Sequence, residues 1–395
     1  MSLTTAEVHV REISPGIRPI AGRRTGVAAI VGAFPRGPVD QAVRITSPAE
    51  LAETFAADGS DLEAPLAARQ FFANGGQRAW IVRAKSSPRR KGAPARAGDI
   101  VGRADRGNGL HALPDTVDPL LTPDTARMTA AEAGLVAAAA VDHADRRRMI
   151  HLHDIPHGDR IRRTPRAVAA WLRTTPKLRH ANAATYLPRL LIATPGKRAG
   201  NRAIAPGGSI AGLYARTDNQ RGIWKAPAGV DAGLHGVSGP ETEVGDAELA
   251  RLADSAVNVI KTFPGASIIA WGARSLAPAG SGAEWRHMPG RRLALFIEAS
   301  IEKGVQWAVY EPNSEPLWAQ VRLNISSFLH LLFRNGAFQD VTPRDAYFVR
   351  CDHRTHTAAD IDQGFLNITV GFAPARPAEF VILRIQQRTA DSHNE

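Results

Sequence analysis

Cysteine is almost absent. Cys351 is the only one in 395 residues, which excludes an internal disulfide framework and suits assembly in a reducing compartment. Its plain reading is packing in a half-buried strand. Long apolar runs are missing too. The longest, such as residues 135–141 and 266–271, fall well short of the roughly 20 residues a membrane helix needs, so direct membrane insertion is not expected. No charged-then-apolar leader with a cleavage site is visible, and a secretion signal of that kind is not expected. Catalytic spacing is equally scarce. Gly207-Gly208-Ser209 fits neither a nucleophile elbow nor a phosphate loop, and no paired base stands at recognisable spacing. Nothing specifies catalysis, a cofactor or a metal.

Charge of one sign is in excess instead, at +11 net. A nucleic-acid binder is one reading, since neutralising phosphates needs surplus Lys and Arg. Yet the positive charge is scattered, apart from residues 85–106, and that stretch has no aromatic for base stacking. It reads as a solvated loop, and the surplus charge could equally serve an acidic protein surface.

Along the chain, residues 25–34 and 78–84 read as strands. Between them, Ser47 (N-cap), Pro48 (first helical position) and Glu50 (capping box) open one helix, and residues 62–73 form a second. Further helices are expected at 130–144, 164–173 and 246–262, with strands at 149–155, 184–193 and 267–271. This is an α/β layer. From residue 291 the pattern changes to a helix (291–303), a strand (306–310) and the cleanest helix of the chain (315–334). Three strands follow at 346–351, 366–372 and 380–385, which makes a smaller α+β unit. Gly336 stands where a left-handed cap is expected.

Both chain ends carry strand-like segments on Pro/Gly-rich arms. Val8 and Val10 alternate with polar residues before Ile13, and Pro15, Gly16 and Pro19 follow as hinge residues. At the other end Phe380, Val381, Ile382, Leu383 and Ile385 are apolar on both faces, after hinge residues Pro374 and Pro377. Two such strands suggest exchange between subunits, and so a polymer.

Candidate chemical groups are few. His151 and His153 point the same way on a strand and could share a metal with nearby His143, His157, Asp154 and Asp159; surface or edge histidines are the preferred alternative. Asp352, Asp360 and Asp362 could be general acids or oxygen ligands, but turn and cap chemistry explains them at least as well. Residues 214–229 could form an anion site; the preferred reading is an ordered loop tied by Arg–Asp hydrogen bonds.

These same segments carry a resemblance. Ala215-Arg216-Thr217-Asp218 through Lys225-Ala226-Pro227-Ala228-Gly229 resembles the signature of contractile tail sheath proteins, as do Trp271-Gly272-Ala273-Arg274 and Arg291-Arg292-Leu293. So do residues 307–318, 346–352 and 370–387, together with Phe71-Phe72-Ala73-Asn74-Gly75-Gly76 and Glu12-Ile13 to Ile20. The resemblance runs from about residue 7 to residue 388. It implies an N-terminal arm and hinge (1–22), a central α/β domain called subtilisin-like for its fold (23–285), an α+β domain (286–375) and a C-terminal strand arm (376–395). It also implies a non-enzymatic subunit, without nucleic-acid binding, that forms helically stacked hexameric rings around an inner tube. Baseplate, terminal cap and sister sheath proteins are the further implied partners. Assembly would occur in the bacterial cytoplasm, and the particle would be a phage tail or a released injection machine. Arg322 and Arg334 on the long helix are expected to face the tube. Asp118 to Pro123 departs from the family pattern, so a shortened strand is expected there. A nucleic-acid binder, and after it a hydrolase on a subtilisin-like scaffold, remain the competing readings.

Overall fold

A computed structural model describes residues 18–375, apart from 86–93, 115–119, 157–164, 195–199, 264, 266, 279–284, 310 and 340–341. The apolar run after the first arm becomes β1 (Val27–Gly32), buried at every residue. β2 (Ala42–Ile45) leads to α1 (Pro48–Phe55), whose first turn is capped as expected: the Ser47 hydroxyl accepts the Glu50 N–H. The Glu50 carboxylate reaches back to the Thr46 N–H, one residue beyond the position a capping box predicts. Next come α2 (Glu63–Ala73), β3 (Arg78–Arg83), α3 (Ala97–Val101) and β4 (Leu120–Pro123), which follows the undescribed residues 115–119. α4 (Ala130–Arg146), β5 (Ile150–His153) and α5 (Pro165–Thr174) follow.

The single strand expected at 184–193 is two, β6 (Ala183–Leu187) and β7 (Leu190–Thr194), parted at the cis Leu187–Pro188 bond. β8 (Gly200–Ile204) pairs with β7. α6 (Gly207–Arg221) then takes in most of the segment read as a loop. Gly208 and Gly212 explain this helix. Each lies against backbone of α2, where a methyl group would collide with the Ala67 or Phe71 carbonyl, so only glycine permits the close crossing. After β9 (Gly239–Pro240), the helix expected at 246–262 divides into α7 (Asp246–Asp254) and β10 (Asn258–Thr262). Ala256, at a φ of 58°, reverses the chain between them. β11 (Ile268–Trp271) completes this part.

Eight strands form one sheet in the order β11-β10-β6-β5-β4-β1-β3-β2. Every pairing from β10 across to β3 is parallel, and only the outer strands β11 and β2 are antiparallel. The winding direction reverses between β1 and β4, so helices cover both faces. On one face Ile30, Ile81, Phe55, Phe71 and Tyr214 share a core. On the other, Val31, Val82, Val136, Leu172 and Val259 share a second. The expected α/β architecture is therefore present as a doubly wound mixed sheet.

A third core lies beyond it. α8 (Met288–Gly304) and α9 (Glu315–Arg334) pack with α10 (Pro343–Ala346), β12 (Tyr347–Arg350), α11 (Ala358–Asp362) and β13 (Thr369–Phe372). The α9 stripe of Leu317, Trp318, Val321, Ile325, Phe328, Leu329 and Leu332 is buried in it. Gly336 takes the left-handed conformation expected after the helix. Residues 306–308 form a 3-10 turn rather than the expected strand. Among the described residues, no helix is long and apolar enough to cross a membrane.

Candidate assembly site and the junction behind it

β12 and β13 pair antiparallel, from Tyr347 opposite Phe372 to Arg350 opposite Thr369, and they form a sheet of only two strands. Each therefore presents one edge of backbone donors and acceptors without a strand partner among the described residues. Phe348 and Phe365 are exposed beside them, and so are Leu323 and Leu331 on α9. The chain leaves this sheet by a short antiparallel contact: Phe338 bridges Pro374, and the Gln339 N–H donates to the Ala373 carbonyl. The root of the C-terminal arm thus starts beside the open strands, and Pro374 is itself held there. Phe380, Val381, Ile382, Leu383, Ile385 and hinge residue Pro377 lie outside the described residues, as do Val8, Val10, Ile13, Pro15 and Gly16.

The described root of the N-terminal arm is anchored to the same unit. The Arg18 N–H donates to Asn324 Oδ1 at 2.9 Å, and its guanidinium covers the Trp307 ring at 4.5 Å. Ile20 is buried against Gly304, and the Arg23 N–H donates to the Ser300 hydroxyl. Pro19 stands inside this anchored stretch. On α9, Arg322 is engaged within the chain, with Glu315 at 2.7 Å and with the Cys351 carbonyl. Arg334 is exposed at the helix end. Cys351 is fully buried, and burial pushes its thiol up to about 11.

Behind this unit a buried polar network ties it to the large sheet. Arg292 on α8 donates to both carboxylate oxygens of Asp218 on α6, at 2.7 and 2.6 Å. Tyr214 and Asp218 are four residues apart, so one face of α6 presents both. The Arg292 guanidinium lies 4.8 Å from the centre of the Tyr214 ring, and the Tyr214 hydroxyl meets that of Tyr186 at 2.8 Å. Burial works against the charge on Arg292, but the Asp218 carboxylate outweighs it and raises the pKa. Burial pushes the Tyr214 phenol up to about 12, so both tyrosines stay neutral hydrogen-bonding groups. Arg291 adds a bond to Asn182 Oδ1 at 2.6 Å. Asp218 forms the expected Arg–Asp bond, but from a helix rather than a loop. Its partner lies 74 residues away, where the Arg291-Arg292-Leu293 motif had drawn attention without a role.

Of the other chemical candidates, His157 and Asp159 lie outside the described residues, and the following resolve as structure. His151 and His153 are fully buried between β5 and its neighbours, neither on the surface nor at an edge. Their rings meet at 3.2 Å (Nε2 to Nδ1), His151 Nδ1 faces the Leu121 carbonyl, and His153 stacks on Trp171. Burial lowers the His151 pKa to about 4 and that of His153 well below its usual value. The Ser209 hydroxyl is buried and donates to Gln70 Oε1 at 3.1 Å, so it faces an amide and no base. Asp154, at the end of β5, accepts the Gly207 N–H at the start of α6 at 2.8 Å. Burial nevertheless raises its pKa to about 7, with Glu63 and Asp124 adding to the rise and Arg189 opposing it. Asp360 completes a capping box with Thr357, and Asp352 accepts the Arg354 N–H in a turn, as expected of cap and turn chemistry.

Comparison with known proteins points the same way as the open sheet. The family described as phage tail sheath C-terminal domain matches residues 281–388. The tail sheath protein of Vibrio phage KVP40 is 23% identical over 193 residues, 49% of this chain, and the match spans only 28% of that relative's length. Likeness to solved structures extends over nearly the entire chain. The helical sheath of the anti-feeding prophage in its contracted state is 28% identical, with a TM-score of 0.75, covering 98% of this chain and 100% of that one. The sheath complex of an extracellular contractile injection system (PVC), also contracted, is 26% identical, with a TM-score of 0.75 and coverage of 98% and 99%. Residues 281–388 thus match the phage tail sheath C-terminal domain family, and the chain as a whole is similar to contractile sheath proteins.

Proposed function

We propose that this protein is the structural subunit of a contractile sheath, polymerising as helically stacked hexameric rings around an inner tube and shortening to drive that tube through a target envelope. The observation that carries the reading is end-to-end similarity to two contracted sheaths, at 98% coverage of this chain. The incomplete β12–β13 sheet supplies the physical means. Strands of neighbouring subunits, residues 7–13 of one and 380–387 of another, add to its two edges. Each backbone hydrogen bond so formed contributes about 1 kcal/mol net, and several per arm hold subunits together while they rotate. Donor and acceptor surfaces differ, so the contacts are heterologous and propagate as an open helix.

In this reading residues 23–285 and 286–375 are the two domains between the arms, and Pro15, Gly16, Pro374 and Pro377 absorb the change of angle. Free energy stored in the extended sheath drives contraction, with no catalysis by this chain. The inner tube faces the C-terminal domain, where Arg334 is the exposed cation of α9. A baseplate and a terminal cap close the ends, and sister sheath proteins share the polymer. Subunits assemble in the bacterial cytoplasm into a phage tail or a released injection particle.

Deleting residues 1–13 or 380–395 tests the arms. Electron micrographs of the full chain are expected to show hollow striated tubes. Either deletion is expected to leave a folded, soluble subunit that forms none. Full-length tubes from a chain lacking both arms would sink the strand-exchange reading.

A further inference from the structure

Where α6 ends, the chain forms a cleft of about 290 Å³ lined by Arg216, Thr217, Gln220, Arg221, Lys225 and Asp231, with a wall of small residues from 226 to 232. Three cations face one carboxylate. Arg216 is held in place by carbonyls alone, those of Asn74 at 3.2 Å and of Gly233. Burial lowers its pKa, because a guanidinium taken from water and met only by neutral carbonyls lacks a counter-charge. Arg221 and Lys225 have no carboxylate partner among the described residues. Two apolar side chains, Val230 and Trp271, are exposed nearby, on neighbouring segments joined by the Gly229 N–H to Ala270 carbonyl bond. A cleft of this kind suits an acidic polypeptide segment.

We infer that this cleft is an interface between copies of the chain, receiving the acidic segment 241–248 of a neighbouring subunit. The inference rests on the sheath reading above. Subunits with a net charge of +11 repel one another, so a contact that sets acid against base favours their association. Residues 232–250 hold four acids (Glu241, Glu243, Asp246 and Glu248) and no Lys or Arg. Glu243 and Asp246 are exposed. The Glu243 carboxylate accepts only the Thr262 hydroxyl, and that of Glu248 only the Gly245 N–H, so the cations of the chain leave their charge unanswered. In the acid-rich stretch 58–63, by contrast, Asp61 pairs with Arg202, Glu63 with Arg189 and Asp58 with Arg69. Cleft and acidic segment are different parts of the chain, so a contact between them across two copies is heterologous.

The test uses the full chain assembled into tubes. Arg221→Glu with Lys225→Glu is expected to cut tube yield roughly tenfold and to leave the soluble subunit's melting temperature unchanged. Glu243→Lys with Asp246→Lys should do the same, and all four changes together should restore tubes. Independently, oxidising tubes of a Lys225→Cys, Glu243→Cys variant should give a ladder of covalent multimers, with Cys351 buried and silent. Intact tubes from the first variant, or intact tubes without a ladder, overturn the inference and leave the sheath reading standing. A cleft that takes up inorganic phosphate without any effect of charge reversal on assembly overturns it equally. A wild-type chain that forms no tubes overturns the sheath reading, and the inference with it.

Discussion

In the large sheet β1 is hydrogen-bonded along both edges and covered on both faces, whereas among the described residues β12 and β13 have only each other. The edges differ as much as the centres. The free side of β11 is occupied by residues 229–234, whose backbone bonds to Ile268 and Ala270 close it. Among the described residues the small sheet has no strand on its outer edges, and Phe348 on β12 is exposed, as is Phe365 in the segment before β13. A two-stranded sheet is marginal by itself in water, and here the buried stripe of α9 supports it from one side only. The body is finished within one chain. In the C-terminal unit the described strands have no partner beyond each other, and the buried Arg292–Asp218 pair joins that unit to the body.

That contrast can be broken most forcefully at the coupling. Arg292→Leu leaves the Asp218 carboxylate buried without its partner and should cost about 3–5 kcal/mol in denaturant unfolding of the soluble subunit. The single transition should also split in two as the cores uncouple. A loss under about 1 kcal/mol would mean that the ion pair is not what joins them.

Next in size is a pH effect that belongs to the body. The folded-state pKa of Asp154 is raised to about 7, so its contribution is fully present below the unfolded value near 3.8 and lost as pH rises through 7. His151 runs the other way. Its folded pKa is lowered to about 4, so its contribution is present above about 6.5 and lost as pH falls through 4. Asp154→Asn keeps an acceptor for the Gly207 N–H and removes the alkaline loss. The variant should gain on the order of 2 kcal/mol over wild type at pH 8 and nothing at pH 4, read from melting curves across that range. An equal gain at both pH values would refute the burial argument.

The smallest expected effect on the subunit is the most telling for its surface. Phe348→Ser should change monomer stability by no more than about 0.5 kcal/mol, since the ring is exposed, yet it should sharply reduce tube formation. Normal tubes from this variant would show that the face beside β12 is left uncovered in the assembly.

Much of the local structure was legible in the residues. The Ser47 cap, the α9 stripe and the Gly336 stop each depend on neighbours within a few positions, and each is found where the pattern placed it. Reading failed where distant packing overrode that pattern. Val259 and Ile260 continue the spacing of α7, but a parallel place beside β6 makes them strand. The polar residues 216–221 look like loop, yet α6 holds them in a helix because its two glycines let it lie against α2. His151 and His153 were seen to share a face, but not that Trp171 would cover it. The helix end that forms the cationic cleft was noticed for its arginines, and the fold supplied the concavity.

Segments, their faces and the likeness carried by ordered motifs are written in residue type and near spacing. Strand order, the meeting of Arg292 with Asp218 and the two edges of the C-terminal sheet that no described strand fills come from the folded chain. Such contacts depend on the path of the chain across tens of residues, and no short-range pattern encodes that path.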